Sequence, residues 1–109
     1  MFYINGTLRT RLDLIELTTH LVHQGLAAEL RESHHYSSGQ YLRLRNNDVY
    51  LTLERAGPEE YLVRADSELY PALLTVCSDL SRHFSAADMP HKIEVYSEDD
   101  RLLTQYPAP

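Results

Sequence analysis

The sequence predicts an α+β fold, a mostly antiparallel sheet with two helices packed on one face as a two-layer sandwich, in the order β-α-β-β-β-β-α-β-β. Three observations lead there. Two segments repeat apolar residues at helical spacing on a single side, and the segments between and after them switch to a period of two. The stretch QYLRLRNNDVYLTLER places leucine at alternate positions on both sides of a polar turn, the pattern of a hairpin with one buried face. Helices with one apolar side can cover only one face of such a sheet, which leaves the other open to solvent or a partner.

Phe2 to Leu8 is short, partly alternating and β-compatible. Thr10 is the expected N-cap of helix one, with Asp13 completing a capping-box pattern, and Leu14, Ile15, Leu17, Leu21 and Val22 form its apolar stripe. Gly25 supplies the left-handed residue that ends many helices, so the helix spans roughly Arg11 to Gln24. From Ala27 the alternation puts Ala28, Leu30, His34 and Tyr36 on one face and Glu29, Arg31, Ser33 and His35 on the other. A Ser38-Gly39-Gln40 turn would set His35 across from Arg43. In the next hairpin Leu42 and Leu44 face the core with Val49, Leu51 and Leu53, and a two-residue turn within Asn46-Asn47-Asp48 keeps leucines opposite leucines. Ala56-Gly57-Pro58 turns the chain into a strand in which Tyr61, Val63 and Ala65 point inward, because the other facing would bury Arg64. Leu69, Leu73, Val76, Cys77, Leu80 and Phe84 give helix two its stripe, with Pro71 in its first turn and Met89-Pro90 as its stop. Lys92 to Tyr96 and Leu102 to Tyr106 read as the last two strands.

At 109 residues the chain has room for one core, expected as a single domain over 1–106 with a Pro-rich tail at 107–109. Ten Lys and Arg against sixteen Asp and Glu give a net charge of −6, which opposes attraction to nucleic-acid phosphate or an anionic membrane and favours a basic partner. A lone cysteine, Cys77, excludes an internal disulfide. Without a signal-length apolar segment or a membrane span, the expectation is a cytoplasmic protein.

The segment ESHHYSSGQY invites a metal or catalytic reading, but neighbours on a strand point to opposite faces, so His34 and His35 cannot converge on one ion. Glu16, His20 and His23 share a sector of helix one at spacings that can chelate a divalent ion, yet that sector is also the helix's polar face. His83 suits the negative end of helix two, and His91 reads as a loop residue without a partner. Cys77 lies in an apolar stripe, where a thiol behaves as a small hydrophobe. The acidic pairs Glu59-Glu60 and Asp99-Asp100 fall in turns, and the isolated glycines make no phosphate cradle. No catalytic residue, metal or cofactor is expected. A metal- or ligand-dependent enzyme using Glu16, His20 and His23, or His34 and His35, is the alternative.

Tyrosine is the remaining signal. Eight tyrosines and no tryptophan are present, and the alternation places Tyr41, Tyr50 and Tyr96 on the face away from the helices with Arg43, Arg45, Thr52 and Glu94. Tyr and Arg bury area while still forming hydrogen bonds, which suits an interface. As ordinary cross-strand pairs, the same residues would add only a few tenths to about 1 kcal/mol each. The element order is loosely similar to that of small acidic secretion chaperones, with one added N-terminal strand and no C-terminal helix. That resemblance implies a homodimer that binds an unfolded segment. The expected function is a non-enzymatic binding protein, such as a bacterial inhibitor, immunity or chaperone-like protein, acting on a protein partner or its own copy.

Overall fold

A computed structural model describes residues 1–34, 39–46 and 49–108. Its elements are β1 (Phe2–Arg9), α1 (Leu14–His23), β2 (Ala27–Glu32), β3 (Gln40–Asn46), β4 (Val49–Gly57), β5 (Glu60–Ser67), α2 (Tyr70–Ala86), β6 (His91–Tyr96) and β7 (Leu102–Tyr106). This is the α+β order read from the sequence. All neighbouring strands are antiparallel, in the spatial order β2-β3-β4-β5-β1-β6-β7. The first strand therefore lies inside the sheet, between β5 and β6, and α2 crosses over it to join those two strands. Helix α1 packs on β2 and β3, while α2 packs on β4 to β7.

The β3–β4 register pairs Leu42 with Leu53, Leu44 with Leu51 and Asn46 with Val49, as leucine matching requires. Tyr61 and Val63 are fully buried and Arg64 is exposed, so β5 faces as its charged residue dictates. Ile4, Leu8, Ile93 and Val95 complete the sheet side of the core against Leu14, Leu17 and Leu21 of α1 and Leu73, Val76, Cys77, Leu80 and Phe84 of α2. Full burial of such a side chain is worth about 1.5–3 kcal/mol. Gly6 sits where β1 is squeezed between its neighbours, since a Cβ there would lie 3.1 Å from both the Val63 Cβ and the Lys92 carbonyl oxygen.

Several details differ from the sequence reading. Helix α1 starts three residues later, capped by Asp13 rather than Thr10: the Asp13 carboxylate accepts from Glu16 N at 2.8 Å, and Glu16 reaches back to Asp13 N at 3.1 Å. Thr10 instead accepts from Leu12 N, and the Tyr61 hydroxyl donates to Leu12 O at 2.6 Å, tying that segment to β5. Ile15 and Val22 are 62% and 52% exposed, because the sheet beneath α1 accommodates only the Leu14–Leu17–Leu21 edge of the wider stripe. Leu69 is 61% exposed as the extended N-cap of α2. Strand β2 ends at Glu32, which leaves His34 exposed in a turn rather than facing the helices, and Arg43 pairs across with Glu29. His35, Tyr36 and Ser38, with Asn47 and Asp48 of the second turn, lie outside the described residues.

Candidate recognition face

Alternation along each strand builds the face opposite the helices, and antiparallel register aligns it into rows. The central row crosses all seven strands as Glu29, Arg43, Thr52, Arg64, Asn5, Glu94 and Gln105. Its charges are paired locally. Arg43 Nη2 donates to Glu29 Oε1 at 2.6 Å, and this bond holds the Glu29 carboxyl below its usual range, with Arg31 adding a 3.1 Å contact. Arg64 lies 3.6 Å from Glu54, and Lys92 lies 3.8 Å from Glu94. On a solvated surface such pairs fix orientation more than they stabilise.

An aromatic row runs beside it. The Arg43 and Arg45 guanidinium groups lie 4.9 and 5.9 Å from the Tyr50 ring centroid, within cation–π range. On the other side of the sheet centre, Tyr3 and Tyr96 are cross-strand partners whose rings stack at 5.3 Å and 13°. The Tyr3 hydroxyl donates to Asp100 Oδ1 at 2.5 Å, and this bond, with lesser desolvation and charge effects, pushes its pKa up to about 12.

The residues singled out from the sequence thus form two groups rather than one. Tyr41, Arg43, Arg45, Tyr50 and Thr52 adjoin on β3 and β4, whereas Glu94 and Tyr96 stand on β6 beyond β5 and β1. The bridge between them consists of Tyr3, Asn5, Arg64 and Asp66, which the sequence reading did not include. Alternation in YINGT and VRAD carried the facing of these four, but nothing local shows that β1 is inserted beside β5.

The other candidate sites resolve individually. Glu16 is occupied as the inner half of the capping box, with His20 half-buried and His23 exposed on the same helix. Among the described residues, no three His, Cys, Asp or Glu side chains come together as a metal-binding group. Cys77 is fully buried, and burial pushes its thiol up to about 12, the reverse of a reactive cysteine. Glu59 and Glu60 pair with Arg11 and Arg9 at 3.4 and 3.1 Å, and the Asp99 carboxylate, held below its usual range, accepts from the Ser97 hydroxyl.

His91 departs from its expected role as an unpartnered loop residue. It opens β6, with Nε2 2.6 Å from Ser81 Oγ, Nδ1 2.9 Å from Met89 O and its ring edge-on to Phe84. A Ser–His contact of this kind suggests nucleophilic chemistry, but Ser81 is only 6% exposed, on the buried side of the C-terminal half of α2. A substrate carbonyl cannot reach the hydroxyl there, so the pair serves to fasten the end of α2 to β6.

The fold and this surface define a small acidic two-layer α+β protein with one sheet face uncovered by its own helices. No protein-family model matches the chain, and comparison with curated proteins gives no match. Among the described residues, no helix is long and apolar enough to cross a membrane.

Proposed function

We propose that the protein is a non-enzymatic binding protein that engages a protein partner, or a second copy of itself, through the uncovered sheet face. The supporting observation is the composition of that face: cross-strand tyrosine and arginine side chains are preorganised by stacking and ion pairing, on a surface neither helix covers. Rigid aromatic and guanidinium groups lose little conformational freedom on association while offering both apolar area and hydrogen bonds. An inhibitor, immunity or chaperone-like role fits a binding protein of this size and charge.

The test is a combined Tyr41→Ser, Arg43→Gln and Tyr50→Thr variant, compared with the unaltered protein by sedimentation at several concentrations and by affinity recovery from the native lysate. The expected result is loss of self-association or of a recovered partner with the fold retained. An unchanged assembly with an unchanged set of partners overturns the reading.

A further inference from the structure

On the uncovered face a hollow of about 340 Å³ opens over β4, β5 and β1, with Tyr3, Asn5, Tyr50, Thr52, Arg64 and Asp66 among its lining residues. Asp66 pairs across the strands with Tyr3, and its neighbour Ala65 pairs with Leu51, which sets Tyr50 on the far side of Asp66. The carboxylate thus stands between two tyrosines. Each ring is backed by a neighbour away from the hollow: Tyr3 by Tyr96 on β6, and Tyr50 by Arg43 and Arg45 on β3.

Charge pairing distinguishes Asp66 from the other acids of this face. Glu29 is paired with Arg31 and Arg43, Glu54 with Arg64 and Glu94 with Lys92. Among the described residues the Asp66 carboxylate has neither ion pair nor side-chain hydrogen bond, and the residue is exposed. Arg64, which also lines the hollow, is already directed at Glu54, 3.6 Å away.

We propose that this hollow seats an arginine side chain from a basic segment of a partner protein, with the guanidinium between the Tyr3 and Tyr50 rings and its N–H groups donating to the Asp66 carboxylate. A planar guanidinium stacks on aromatic faces and pairs bidentately with a carboxylate, a combination that ammonium does not match. Tyr50 already receives guanidinium groups from this chain, and the net charge of −6 draws a basic segment toward the surface. The proposal rests on the binding role of the uncovered face and gives the partner a chemistry.

The test titrates an end-capped tetra-arginine peptide into the full chain, followed by backbone and tyrosine-ring NMR shifts, for the unaltered protein, Asp66→Asn and Glu68→Gln. The last variant removes the same charge from an exposed residue outside the hollow. Shifts are expected to concentrate on Tyr3, Tyr50 and Asp66, with affinity about fivefold or more weaker in Asp66→Asn and within about twofold of the unaltered protein in Glu68→Gln. Equal weakening in the two variants, or shifts spread over the acidic loops, means charge attraction without a seat and overturns the proposal. Loss of the native partner in the Tyr41, Arg43 and Tyr50 variant but not in Asp66→Asn overturns the arginine seat alone. Retention in both variants overturns the binding role of the face itself.

Discussion

The two faces of the sheet are made by the same strands and differ in every other respect. On the helix side Leu42, Leu51, Leu53, Val63 and Ile93 are almost wholly buried, and Ser81, hydrogen-bonded to His91, is the buried polar side chain among the described residues. On the other side the same strands present Arg43, Tyr50, Thr52, Arg64 and Glu94, joined by ion pairs and ring contacts that remain wet. Because successive strand residues alternate in facing, one register decides both surfaces at once. Burial, and with it most of the stability, is therefore concentrated on the helix side, while the opposite side stays largely exposed.

The largest effect should come from truncating the covered side. Leu53→Ala should destabilise the fold by about 2–5 kcal/mol through lost transfer energy and a cavity, while Tyr50→Ala, three residues earlier on the opposite face of β4, should cost under about 1 kcal/mol. Urea unfolding of the two variants measures the contrast, and equal losses would erase the distinction between the faces.

A smaller effect probes how dry the covered side is. Cys77→Ser should cost about 1–3 kcal/mol if the hydroxyl is buried without a partner, and the native thiol should label slowly but react fast in denaturant. The thiol pKa is raised by burial to about 12, so its contribution is complete below the unfolded thiol pKa and fades as pH climbs through the folded value. Rapid native labelling at neutral pH would place the thiol on an open surface.

The smallest effect sharpens the open side. In Asp100→Asn, Tyr3 should ionise closer to pH 10 than to 12, because the carboxylate that accepts its proton is gone, and the unfolding midpoint at neutral pH should fall only slightly, since the lost hydrogen bond is exposed to solvent. Tyr3 has a folded pKa above its unfolded value, so its contribution is present below about pH 10 and is lost as pH rises through about 12. A phenol ultraviolet titration reads this directly. An unchanged titration would remove the Tyr3–Asp100 contact from the account of the face.

Much of the local architecture was legible because it depends on short-range sterics. The β3–β4 register follows from leucine spacing, the facing of β5 from the cost of burying Arg64, and the end of α1 from Gly25, whose φ is +85°. Other details were misread where two local signals competed. Thr10 and Asp13 both offer a cap, and only the completed Asp13–Glu16 box and the Tyr61 hydroxyl on Leu12 O decide between them. Ile15 and Val22 belong to an apolar sector wider than the surface available beneath α1. His91 gained its Ser81 and Phe84 contacts only through the return of the chain after α2.

By itself the sequence determined the element types, the fold class, the inward residues of most strands and the acidic charge, because periodicity and charge are properties of neighbouring residues. The tertiary structure decided the position of β1 between β5 and β6. That single long-range choice brings Tyr3 against Tyr96 and Asp66, sets Arg64 beside Asn5, and turns two separate groups of polar residues into one continuous face. Strand order is settled by which edges close the core under α2, a global packing energy that no window of the sequence contains.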